Sequence, residues 1–422
     1  MGGKAIILVL IGFSMIFLVM ERNMSSASTR AVENMVDYYT NINAHNIAVS
    51  GANLAANQIF LNPSWTAGYQ NVSFSKGKFS ASVQVIDAFQ NIRRITSVSN
   101  FNGYIDTVQI TLQPSKFSKF GYYSANEGGN IWWVSGDTVW GPFHSQDQIK
   151  ISGNPVFNGK VSTKIKPVIT GYSNPEFNGG LDVGVDLPIP PFAMNDLETA
   201  AENGGYNFDG DEDTLYLTFA GDSLKYRFNY KDQPTTVYTK DFAPNGVIFA
   251  SGATIRLQGT VGGNVTVGSS TTTTAITKGK GKKKKTTYVE TGGNIYLDDD
   301  IVYKNDPNSN PNATDMLGIV AEQNVFVTDN NANSKDIHIQ AAIFAQKGGF
   351  GAENYASRPP SGSIVLNGGI TQNTRLAVGT FNWSGKIVSG FSKSYHYDNR
   401  LMISSPPFFP NTGSLEIVSW YE

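Results

Sequence analysis

The chain has 422 residues, of which 16% are charged, 43 are glycine and none is cysteine, with a formal net charge of −2. Short apolar runs set among Gly, Asn, Ser and Thr suit an exported, mainly β protein and argue against a cytosolic enzyme; the length allows two or three domains. Without cysteine no disulfide is available, so core burial and ladder hydrogen bonds carry the stability.

Met1-Gly2-Gly3-Lys4 leads into sixteen uncharged residues, Ala5 to Met20, closed by Glu21 and Arg22. Ala5, Ile6, Ile7, Leu8, Val9, Leu10, Ile11, Phe13, Ile16, Phe17, Leu18, Val19 and Met20 make this a membrane anchor, about 24 Å long as a helix. Met24, Ala27, Ala31, Met35, Tyr38, Ile42, His45, Val49, Ala52, Ala56 and Ile59 then recur in steps of three or four, and no proline occurs before Pro63. One helix from about Ala5 to Leu61 follows, greasy all round in its first half and amphipathic in its second. A cleaved signal ending at Ser25-Ser26-Ala27, a plain signal anchor and a stalk helix under a globular head are the three readings. The in-phase continuation favours the stalk, and Lys4 ahead of the run favours a cytoplasmic N-terminus with the body outside. His45 sits on the stripe as a packed helix histidine.

Period-two alternation starts after Asn62-Pro63: Val72 and Phe74, then Phe79, Ala81, Val83 and Val85, then Ile92 and Ile95, then Val108, Ile110 and Leu112 beyond an Asn102-Gly103 turn. This predicts an antiparallel meander whose apolar face is covered by the helix. Helix and meander together resemble the N-terminal part of minor pilins and pilus-assembly proteins of the PilX type. The resemblance implies a bacterial envelope protein, its helix in the inner membrane or, if processed, in a pilus, with other pilin-like or envelope proteins as partners. The fifth residue after Gly3 is Leu8, and after Gly12 it is Phe17, where pilins carry glutamate.

From Phe117 the texture changes to short strands between Gly, Asn and Asp. Gly129-Asn130-Ile131-Trp132-Trp133, Gly263-Asn264-Val265-Thr266-Val267, Gly293-Asn294-Ile295-Tyr296-Leu297 and Gln323-Asn324-Val325-Phe326-Val327 nearly repeat. Such degenerate repeats predict stacked coils around a shared apolar column, with Asn pairing between coils. The expected fold is therefore mainly β: the N-terminal helix on a small antiparallel sheet, then a right-handed parallel β-helix, with a sandwich or jelly roll as the alternative. The expected domains are 1–62 (anchor helix), 63–116 (small sheet), 117–166 (first coils), 167–244 (an inserted excursion) and 245–422 (main coils and C-terminal cap). Within the excursion, Leu215, Leu217 and Phe219 should pair with Tyr226, Phe228 and Tyr230.

Residues 269–287 read as a disordered loop bearing Lys278, Lys280, Lys282, Lys283, Lys284 and Lys285, which leaves the remainder at about −8. Those lysines are the candidate polyanion contact, although nucleic acid is not an expected partner. Asn207, Asp209, Asp211 and Asp213 are a calcium candidate that lacks the glycine and the bidentate acid of a full loop; no other cofactor is expected. Asp298-Asp299-Asp300 reads as a turn between coils. Trp132, Trp133 and Trp140 are either a platform for the rings of a surface polysaccharide or a cap on the coil stack. Four scattered histidines, and the absence of any nucleophile elbow, phosphate loop or zincin motif, speak against an enzyme.

Gly141-Pro142-Phe143-His144-Ser145, Pro359 to Ile370, Lys393 to Asp398 and Pro406-Pro407-Phe408-Phe409-Pro410 resemble a widespread family of bacterial envelope proteins that join a pilin-like N-terminus to a β-rich body and have no assigned activity. The resulting expectation is a non-enzymatic structural or surface protein, minor pilin-like or adhesin-like. The alternative is a membrane-tethered protein that binds or degrades polysaccharide.

Overall fold

A computed structural model describes residues 2–88, 90–129, 131–190, 193–209, 213–278, 285–382 and 386–422. The chain is a long N-terminal helix and a largely β body, divided into two compact units: Met1–Pro114 with Ser414–Glu422, and Ser115–Gly413.

In the first unit, α1 spans Gly2–Leu61, and Pro63 prevents its continuation. Residues 3–39 are exposed throughout, so Met24, Ala27, Ala31, Met35 and Tyr38 of the predicted stripe pack on nothing described. Burial begins at Thr40 and follows Ala44, Ile47, Ala48, Ala52, Ala55, Ala56 and Ile59. These mostly small residues let the helix settle closely on Phe79, Ala81, Ile95, Val108, Ile110 and Leu112. The latter belong to the antiparallel meander β1 (Tyr69–Phe74), β2 (Gly77–Asp87), β3 (Ile92–Phe101) and β4 (Tyr104–Lys116). Phe101 pairs with Tyr104 across Asn102 and Gly103, both at positive φ, the twist that a two-residue hairpin needs. His45 is half-buried, its Nδ1 2.8 Å from Asp106 Oδ2.

A fifth strand, Asn411–Tyr421, adjoins β4, so the chain's end does not belong with 245–410 as expected. It covers the edge of β4 that would otherwise expose unpaired backbone groups, and Leu415 packs against the helix-covered core.

In the second unit, strands that are distant in sequence pair in parallel, one on the next, in long ladders. One ladder runs through Leu181, Val161, Phe143, Tyr122, Ile370, Ile343, Ile319, Val267, Ile248 and Tyr206 as successive partners. A second runs through Phe177, Phe157, Val139, Tyr395, Leu366, Ile339, Ile301, Gly259 and Phe219. Most of these side chains are buried and form one core, because no three-residue strand can bury an apolar face alone. Asn178 Nδ2 donates to Asn158 Oδ1 (2.8 Å) and Asn324 Nδ2 to Asn294 Oδ1 (3.1 Å), the expected pairing of asparagines between coils.

The stacking order departs from the chain order. The Tyr122–Asn126 strand pairs with residues 370–374, so the ladder strands that come first in sequence rest on those that come near its end. From there the chain moves outward to Leu181–Val183, and then returns to the far end of the stack at Tyr206–Phe208. The return passes Leu187 and Ile189 and helix α2 (Ala193–Glu202), which pack with Phe117, Tyr123, Phe249 and Phe344.

Three expectations are corrected. Residues 176–177, 181–183, 206–208 and 214–221 are ladder strands, so 167–244 is not a single excursion; Leu217 pairs antiparallel with Tyr226 as expected, whereas Phe228 and Tyr230 lie beyond that partner strand, Ser223–Arg227. In the stretch read as a disordered loop, the described residues on either side of 279–284 are paired antiparallel strands, with Thr271 opposite Gly292 and Lys278 opposite Lys285, because runs of Thr with Ile276, Tyr288 and Val289 favour extended backbone. Asp298 to Asp300 lie inside the strand Ile295–Tyr303, where Asp298 pairs with Arg256 at 2.7 Å.

Candidate functional site

A cleft of about 680 Å³ opens over the second ladder. It is built by register. Tyr395 pairs with Val139, so the next residues, His396 and Trp140, leave the same face side by side; their rings stack at 6.0 Å between centroids and 19° between planes. Asn367 pairs with His396 and Gln340 with Asn367, which continues an outward row along the coils. Beyond it stand Asp306 and Asn308 in the loop after Tyr303, with Asp300 and His338 alongside.

Trp140 is 46% exposed, an unusual position for so large an apolar ring. Gly141 allows its placement, since φ there is +84° and a Cβ would lie 2.4 Å from the Tyr397 ring. Tyr397 is itself fixed, donating to Lys119 O at 3.1 Å, and burial pushes its phenol up.

The polar wall is ordered by its own bonds. Gln340 Nε2 donates to Asp306 Oδ1 (2.9 Å), its Oε1 accepts from Tyr303 N (2.7 Å), and Asn308 Nδ2 also donates to Asp306 Oδ1 (3.0 Å). Asp300 Oδ1 accepts from His338 N at 2.8 Å. The side chains of Asn367 and Asn399 make no hydrogen bond among the described residues, so their amides are free for a ligand. Burial pushes the Tyr303 phenol up, which keeps it neutral beneath the cleft.

The three predicted tryptophans do not form one platform. Only Trp140 reaches this cleft; Trp132 and Trp133 line a second cavity of about 880 Å³. Trp133 is 1% exposed, packed edge-on to Tyr122, Phe143 and Phe157, with Arg375 over its ring at 4.0 Å. Its Nε1 donates to Glu127 Oε2 at 3.3 Å, and that carboxylate is bound by Arg375. Lys393, whose ammonium pKa burial pulls down, pairs with Asp137 at 3.0 Å. With both cations matched, the described residues of the second cavity present no spare charge to a ligand.

At the calcium candidate, Asn207 Oδ1 accepts from Ser251 Oγ at 3.1 Å, Asp209 and Asp213 are exposed, and Asp211 lies outside the described residues. Of the six lysines, Lys280, Lys282, Lys283 and Lys284 lie outside them too, and Lys278 stands opposite Lys285 as the last described pair of the two strands. The anchor residues Ala5 to Met20 form one exposed helical surface, with a mean hydropathy of 2.4 in its most apolar window.

Sequence reasoning missed His396, Asn367, Gln340, Asp300, Asp306 and His338 as neighbours. They come from different coils, and only the register places them together.

No family model matches the chain. No curated protein matches it either. Among solved structures it is similar to the crystal structure of the competence-associated pilin ComZ from Thermus thermophilus, at 12% identity over 90% of this chain and 97% of that one, with a TM-score of 0.36. At that score and identity the likeness decides neither fold nor function.

Proposed function

We propose that the chain is a non-enzymatic structural protein of the bacterial envelope, pilin-like in its first unit and held by the Ala5–Met20 helix, with its body outside the cytoplasm. One observation carries this reading: a single helix is apolar and bare over 5–20 yet packed on a sheet from Thr40 to Ile59, as a membrane stalk under a globular head requires. We read the stacked ladders of the second unit as a parallel β-helix, a rigid carrier suited to surface display. Partners under this reading are the membrane and other pilin-like or envelope subunits.

Fractionation with mass spectrometry of the mature N-terminus tests it. The full chain should sediment with membranes and be released by detergent but not by salt. A methylated residue directly after a glycine would place it among processed pilins. Recovery as a soluble protein starting near residue 28 would overturn the anchor.

A second reading, that the body also binds polysaccharide, is favoured by the cleft at Trp140 and His396, where an exposed indole faces amides and carboxylates.

A further inference from the structure

We infer that the Trp140–His396 cleft binds a neutral oligosaccharide lying along the coil stack; this rests on the second reading above and adds the site and the sugar class.

The cleft has the composition that sugar recognition needs. A pyranose offers patches of C–H that pack on an aromatic surface and hydroxyls that both donate and accept. Trp140 and His396 supply the aromatic surface, standing off the ladder next to one another. Asn367 and Asn399 supply amides with donors and an acceptor to spare, and the Asp300 and Asp306 carboxylates supply acceptors. Because Gln340 and Asn308 already hold Asp306, and His338 N holds Asp300, the acceptors are ordered before any ligand arrives.

Geometry selects an oligomer over a single sugar. The row from Trp140 through His396, Asn367 and Gln340 to the strand holding Val302 crosses five strands, about 19 Å at the usual strand spacing. Charge selects a neutral one. Among the described residues two carboxylates line the cleft and no lysine or arginine does, so a uronate polymer would meet like charge.

The test is isothermal titration of the detergent-solubilised full chain with chitotetraose, cellotetraose, maltotetraose and tetragalacturonate. Saturable binding of at least one neutral tetrasaccharide is expected, with none of tetragalacturonate. Trp140→Ala and Asn367→Ala should each weaken binding by about ten-fold or more while leaving the thermal midpoint unchanged, since Trp140 is half-exposed and the Asn367 amide has no partner to lose. Neutral binding that survives both substitutions would overturn the cleft assignment and leave the polysaccharide reading standing on another surface. Failure of all three neutral probes would overturn both, and tighter binding of tetragalacturonate would overturn the sugar class. Membrane anchoring is measured separately and is untouched by any of these results.

Discussion

Arg375 Nη1 donates to Glu127 Oε2 at 2.9 Å although the two residues are 248 positions apart, and the side chains are 5% and 3% exposed. The pair stands where the first coils meet the last. Removing the arginine leaves a carboxylate buried beside Trp133 with its charge unmatched. Arg375→Leu should therefore destabilise the second unit by about 3–5 kcal/mol, while Arg375→Leu with Glu127→Leu should recover most of that loss. Chemical denaturation of the two variants decides it; an additive double variant would mean that the pair is not coupled.

The helix–sheet contact of the first unit is limited by size at Gly51, where a Cβ would lie 2.5 Å from the Phe79 ring and 2.4 Å from Ser97 Oγ. Gly51→Ala should cost about 1–3 kcal/mol through overpacking. Gly12→Ala, with nothing within 4 Å, should leave the same melting transition in place. Thermal melts of the two variants make the comparison.

Acid should weaken the second unit through His144. The ring is buried, stacked on Tyr123, with Nδ1 2.8 Å from Ser162 Oγ and Nε2 unpartnered among the described residues. Burial lowers its pKa from 6.5 to about 4, against the opposing pull of Asp186 and Gln146. Between those two values the unfolded chain binds the proton and the folded one does not, so stability is complete above pH 6.5 and declines as the pH falls towards 4. The loss reaches at most about 3 kcal/mol. His144→Leu should flatten that limb of the curve of melting temperature against pH; an unchanged limb would assign the acid sensitivity to other groups.

The lysine stretch supports a separate expectation. Its strands, paired from Thr271/Gly292 to Lys278/Lys285, extend beyond the ladder partner of Asn264 to Ser269, so replacing the six lysines with serine should move the melting midpoint by no more than about two degrees. If the lysines contact a polyanion, binding of duplex DNA to the full chain should fall with salt at a log–log slope of about −4 to −5 and vanish in the serine variant. Equal DNA binding by both chains, or by neither, removes the polyanion role.

Much of this molecule was legible from periodicity alone. The bare anchor from Ala5 to Met20, the helix end before Pro63, the Asn102-Gly103 hairpin, the meander and the asparagines that pair between coils are local patterns, set by backbone preference and by the need to hide apolar side chains. Tertiary structure alone decided which coils touch. Three-residue strands have nearly interchangeable apolar faces, so nothing local in Tyr122 or Ile370 says that they are partners. The same holds for Trp133 and Trp140, similar in sequence context: one fills the core under Arg375, the other stands exposed beside His396. Alternation tells which residues share a face of one strand, but a cleft takes one residue from each of several strands, and that register is fixed only when the whole column of Val, Ile, Leu and Phe packs together.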